Sequence, residues 1–183
     1  MTIGKNCAKR FWQKNKQRTL NMTLDDKLAR VLADDLRDLM VVSYIVLGNN
    51  SVTNRFIEQA YQMPVHAWSS LYAIAKFPGI RAKEIRRIFP RPQNTISRAI
   101  SQLEQRKFVR QEASEADGRE KRVFATAYGL EVLAEMTDYS LKRQTELFSP
   151  LSDEERQVFF SLACKIAAGP QLLQSNVMGQ DEA

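Results

Sequence analysis

Two short apolar periods that cannot belong to one helix restrict this chain more than any other feature. Ile85, Ile88 and Phe89 share one face of segment 81–89, and Pro90-Arg91-Pro92 ends it. A proline removes a backbone donor and pushes the residue before it out of the helical region. Pro92 then suits the first residue of a second helix, whose inner face is Ile96, Ala99, Ile100 and Leu103. Gln93, Asn94, Thr95, Ser97, Arg98, Ser101 and Gln102 are left facing outward. An ordinary solvated helix favours Glu and Lys, whereas these side chains carry donors and acceptors that suit base edges and phosphates. Two short helices joined by a tight turn, the second with such a face, form a helix-turn-helix pattern. Beyond it, 108–111 and 123–126 are β-prone and flank Asp117-Gly118, a common hairpin turn dipeptide. A two-stranded wing is expected there, with Arg119, Lys121 and Arg122 on its tip and returning strand.

Charge placement supports the same segment. The formal net charge is +6, but residues 1–20 hold six bases (Lys5, Lys9, Arg10, Lys14, Lys16, Arg18) and no acids. Residues 80–124 hold twelve Lys or Arg against six Asp or Glu, so the remainder sums to −6. A basic block bounded by acidic flanks fits a phosphate-facing surface better than a merely solvated one. The basic N-terminal stretch reads equally as a DNA contact or as a solvated arm.

The flanks are helical. Leu24, Leu28, Val31, Leu32, Leu36 and Leu39 recur at three- and four-residue spacing, which predicts an amphipathic helix over 24–39 entered at Thr23. A second helix is expected over 43–61, weakest at Gly48-Asn49-Asn50. A third has Pro64 in its first turn and a face of Trp68, Leu71, Tyr72 and Ala75, and Pro78-Gly79 stops it. From Ala127 the helical period returns with Leu130, Leu133, Leu141, Leu147 and Phe148. After Pro150, Ser152 with Glu155 forms a capping box before Val158, Phe159, Leu162 and Ile166. The chain thus reads as a flexible basic arm (1–22), N-terminal helices (23–62), a winged helix-turn-helix (63–126), C-terminal helices (127–168) and a flexible tail (169–183). The fold class is mainly α with a small two-stranded β-wing, α+β.

Several classes are disfavoured. The longest apolar run, 39–47, is too short for a membrane span, and no export signal is visible, so a cytoplasmic protein is expected. Cys7 and Cys164 suggest neither a disulfide framework nor a metal site. A single histidine, His66, and the lack of a phosphate-cradling loop leave little from which to build an enzyme. No metal or cofactor is expected.

The order of these parts resembles the MarR family of winged helix-turn-helix regulators over residues 43–168. The resemblance rests on His66-Ala67-Trp68 leading to Pro78-Gly79, on Asn94-Thr95-Ile96-Ser97-Arg98, on Asp117-Gly118-Arg119, and on Thr126 with Gly129. Leu151-Ser152-Asp153-Glu154-Glu155 is similar to the family's C-terminal helix start. Two positions depart from it: Lys107 stands where the family usually has Gly, and Ala125 where it usually has Leu. The segment before residue 43 is also longer than the family core requires.

The resemblance implies a homodimeric repressor of a pseudo-palindromic operator on double-stranded DNA. Gln93, Asn94, Thr95, Ser97 and Arg98 would enter the major groove, and Arg119, oriented by Asp117, the minor groove. Arg91, Lys121 and Arg122 would meet phosphates. It further implies release by a small aromatic or phenolic effector, for which Tyr44, Asn49, Arg55, His66, Trp68 and Tyr72 are candidate contacts. Trp68 and Tyr72 also fit a core, and His66 a first-turn or surface position. A constitutive DNA binder without effector and a protein-interaction module remain as alternatives.

Overall fold

A computed structural model of the chain describes residues 22–113 and 120–174. The chain divides into two compact units, 1–61 and 62–183.

The first unit contains α1 (Leu24–Leu32) and α2 (Arg37–Tyr61). Thr23 caps α1: its Oγ1 accepts from Asp26 N at 3.1 Å while its own N–H donates to Asp26 Oδ2 at 3.2 Å. The break falls at 33–36, not at Gly48-Asn49-Asn50 as expected, so 24–39 is not one helix. Asp34 explains it, since its Oδ1 accepts from Leu36 N at 3.4 Å and offers the backbone a turn in place of the helical ladder. The expected weak centre is continuous helix. There Ser51 Oγ donates to Gly48 O and Thr53 Oγ1 to Asn49 O, both at 2.9 Å, so these hydroxyls bond to the helix itself. Ile57 is buried, while Leu24, Leu36, Leu39, Val42, Val46 and Leu47 are exposed.

The second unit runs α3 (Val65–Lys76), α4 (Ala82–Ile88), α5 (Gln93–Gln105), β1 (Val109–Ala113), β2 (Lys121–Ala125), α6 (Ala127–Leu147), α7 (Asp153–Ala168) and a 3-10 turn, Pro170–Leu172. Pro64 and Pro92 are N-caps with extended ψ of 147° and 143°, so each helix starts one residue later than the sequence suggested. The strands pair antiparallel, Val109 opposite Ala125 and Ala113 opposite Lys121, and Ile80 adds an isolated bridge to Val123.

α3 is central and packs on α4, α5, β2 and α6. Of the expected face of Trp68, Leu71, Tyr72 and Ala75, that position keeps only Leu71 fully buried. The residues buried are Ala67, Leu71, Ala73 and Ile74 with Ser69 and Ser70, whereas Trp68 and Ala75 are half-buried and Tyr72 is exposed. A helix surrounded on several sides is selected for small residues at close contacts, so its largest side chains do not mark its inner face. Ser69 Oγ and Ser70 Oγ donate to His66 O at 3.2 and 2.7 Å, which satisfies both hydroxyls.

The junction of α5, wing and α6 is built on main-chain carbonyls. α5 ends with Phe108 N donating to Leu103 O and Lys107 N to Glu104 O, which places Lys107 at φ +62°. A side chain in this left-handed conformation costs about 1 kcal/mol relative to glycine. Thr126 Oγ1 donates to Lys107 O at 2.6 Å and accepts from Gly129 N at 3.0 Å, which caps α6. Gly129 is required here because a Cβ would stand 2.0 Å from Phe108 O.

Candidate nucleic-acid interface

α5 separates its two faces cleanly. Ile96, Ala99, Ile100 and Leu103 are at most 4% exposed, which fixes the rotation of the helix against α3 and α4. Gln93, Asn94, Ser97 and Arg98 are exposed on the other side, and Thr95 is half-buried at the edge between them. The helix has no side-chain cap at Pro92, so its positive end is not occupied by a capping carboxylate or hydroxyl. The distal end of α5 is tied to the wing by Glu104, whose carboxylate accepts from Gln111 N at 3.2 Å and Gln111 Nε2 at 2.6 Å.

Around α5 the exposed charge is mostly positive. Arg91 is exposed in the turn before it. Arg86 and Arg87, exposed in the last turn of α4, extend this surface and were not singled out by the sequence reading. Their adjacency to Arg91 was the available signal. On β2, Lys121 and Arg122 are exposed, and Arg122 Nη1 donates to Gly79 O at 3.3 Å. Across the wing Arg110 lies 4.8 Å from the centre of the Phe124 ring. Asp117 and Arg119, expected at the wing tip, lie outside the described residues, as does the basic arm up to residue 21.

A cluster of ions joins the tip-side end of β2 to α4. Arg81 donates from Nε (3.1 Å) and Nη2 (2.8 Å) to Glu84, and from Nη1 (2.9 Å) to Glu120. Lys83 Nζ also donates to Glu120. Hydrogen bonds from Arg81 bring the Glu84 pKa down to about 2, and Lys83 followed by Arg81 lowers that of Glu120. Both carboxylates are therefore charged at neutral pH.

The effector candidates fall in both units. Tyr44 and Arg55 are exposed on α2 and Asn49 is half-buried there. His66, Trp68 and Tyr72 all lie on α3, where the rings of Trp68 and Tyr72 are 6.1 Å apart. Trp68 Nε1 is buried with no hydrogen-bond partner. Burial, then the Arg91 charge, holds His66 below the ordinary imidazole range, which favours the neutral ring. A cleft of about 230 Å³ between Gln62-Met63-Pro64, Ala67 and the Gln102–Arg106 end of α5 contains none of these six residues.

Among the described residues, no helix is long and apolar enough to cross a membrane. Residues 61–120 match the model of the MarR family. A comparison with curated proteins gave no match. Among solved structures, the transcriptional regulator SlyA superposes with a TM-score of 0.66 at 19% identity, over 73% of this chain and 92% of that one. A MarR protein from Peptoclostridium difficile gives 0.67 at 22% identity, over 74% and 88%. The PcaV transcriptional regulator from Streptomyces coelicolor, in complex with its natural ligand, gives 0.51 at 24% identity, over 55% and 72%. Residues 61–120 thus carry the MarR-family signature, within the winged-helix fold of MarR-family transcriptional regulators.

Proposed function

We propose that the chain is a homodimeric, sequence-specific DNA-binding repressor. The observation that carries this reading is α5, whose apolar side is sealed in the core while Gln93, Asn94, Ser97 and Arg98 stand free. Arg98 suits bidentate contact with guanine, and Gln93 and Asn94 with adenine. Thr95 would meet a base or phosphate from the groove edge. Arg91, Lys121 and Arg122 would neutralise phosphates beside it, and Arg119 would reach the minor groove with Asp117 orienting it.

Two copies are supported by the apolar residues left exposed on α1, α2, α6 and α7. A symmetric pair would read a pseudo-palindrome. Selection of bound duplexes from a random pool tests this directly: half-sites about 10 base pairs apart, centre to centre, are expected. Enrichment of no sequence would refute it.

Release by a small aromatic or phenolic molecule is the finer part of the proposal. It is supported by the exposed Tyr72 ring beside Trp68, whose indole N–H lacks a partner, and by the neutral His66 on the same helix. The ligand-bound PcaV regulator is a precedent within the shared fold. A thermal-shift series with aromatic carboxylic acids should raise the melting temperature for at least one of them. Silence across the series would leave a constitutive DNA binder.

A further inference from the structure

We propose that Glu120 sets the specificity of the DNA interface by locking the outer end of β2 to α4 and withholding Arg81 and Lys83 from the phosphate backbone. The inference rests on the DNA-binding reading above. Glu120 is separated from Arg81 by 39 positions in the chain, yet its carboxylate takes the Arg81 Nη1 donor at 2.9 Å and the Lys83 ammonium. Arg81 has its remaining reach fixed by Glu84, which accepts from its Nε, its Nη2 and its backbone N–H. The Arg81 and Glu120 side chains are each only 32% exposed, so the pair is held in one geometry rather than sampled at a free surface.

Two consequences follow from that geometry. The tip-side end of β2 is fastened to the helix that precedes α5, in addition to the main-chain ties Gly79 N to Val123 O (2.9 Å) and Val123 N to Ile80 O (3.1 Å) further along the strand. β2 is therefore held in a fixed relation to the helix-turn-helix. Meanwhile two cations next to the interface are already neutralised, and a cation held by a carboxylate releases no counterion from DNA. A protein that grips any phosphate backbone with fewer charges depends more on base contacts, so it discriminates better between sites.

The experiment uses the full chain and its Glu120→Gln variant, which keeps the size of the side chain and removes its charge. Each is titrated by fluorescence anisotropy against a duplex enriched by the wild-type chain and against a scrambled duplex, at several salt concentrations. Glu120→Gln is expected to bind the scrambled duplex several-fold more tightly, with a salt slope steeper by about 0.9 for one released cation. The ratio of specific to scrambled affinity should fall by about tenfold. Glu120→Asp, which keeps the charge, should stay closer to wild type. Hydrogen exchange in the absence of DNA reads the tie itself, and the Gly79 and Val123 amides should exchange faster in Glu120→Gln. An unchanged ratio, or an equal loss on both duplexes, would overturn the specificity role, and unchanged exchange would overturn the lock. Binding of neither duplex by the wild-type chain would instead sink the DNA reading, while the exchange data would still report on the tie.

Discussion

α5 and α7 carry the same sequence signature, apolar residues at three- and four-residue spacing over 13 and 16 residues, and they are stabilised in opposite ways. The apolar face of α5 is at most 4% exposed, whereas Val158, Phe159, Phe160, Leu162 and Ile166 of α7 are 40–65% exposed. Conversely, α5 begins with no side-chain cap, while α7 begins with a full capping box: Ser152 Oγ accepts from Glu155 N at 3.2 Å and Glu155 Oε2 from Ser152 N at 2.8 Å. Asp153, Glu154 and Glu155 add negative charge at its positive end. One helix is held by burial within its own chain, the other by its local terminus with its apolar face still uncovered. Burying one large apolar side chain contributes about 1.5–3 kcal/mol, so the proposed covering of the α7 face by a second copy would be a large energetic gain.

The largest expected effect lies on the buried side of α5. Leu103→Ala should lose about 2–5 kcal/mol of stability through the cavity it leaves. Its denaturant midpoint should move by the same amount at any protein concentration. On α7, Phe160→Asp should weaken self-association by about 2 kcal/mol or more, seen as dissociation in sedimentation experiments, with the helical spectrum retained. A dimer of unchanged strength would place the partner elsewhere. On the outward side of α5, Arg98→Ala should lower operator affinity by about 1–3 kcal/mol and leave self-association alone. Unchanged affinity in a gel-shift titration at fixed salt would remove Arg98 from the interface.

Smaller effects sharpen the contrast. Ser152→Ala should cost about 1 kcal/mol, because α7 relies on that cap; an equally mild loss is not available at α5, which has none. The smallest effect concerns acid. Glu84 titrates at about 2 in the folded chain against 4.5 when unperturbed, so its pairing with Arg81 stabilises fully above pH 4.5. Unfolding followed between pH 5 and 2 should show that contribution lost as pH falls toward 2, and Glu84→Gln should flatten this part of the profile.

Local features were legible in the chain. The buried face of α5 and the capping box of Ser152 depend on residues within one or two turns, and both are found where the spacing put them. Position relative to neighbours was not legible. α3 turned out to bury Ala67 and Ile74 rather than Trp68 and Tyr72, since four elements around it decide which sides close. The break at Asp34 depends on one side-chain hydrogen bond that competes with a helix of ordinary propensity, so apolar periodicity passed over it. The tie from Arg81 to Glu120 spans a strand pairing and a turn and leaves no spacing to read. As for the candidate site, its exposed residues on α5 follow directly from the inner face, whereas for Arg86 and Arg87 the sequence offers only their nearness to Arg91, and the packing of α4 on α5 brings them to the site.

The fastening of α6 at its first turn gives that helix a mechanical meaning. Thr126 and Gly129 seat it on the carbonyls of Lys107 and Phe108, where α5 hands over to the wing, and at its other end Phe148 meets Phe159 of α7 at 5.5 Å. A 21-residue helix is a rod of about 31 Å, so a tilt of about 5° about the seated end displaces the other by about 3 Å. Read in reverse, a shift of one side chain's width at the α6–α7 corner is returned as a few degrees of rotation at the wing root. The first turn of α6 would then be the pivot, and the α6–α7 corner the long arm that turns it.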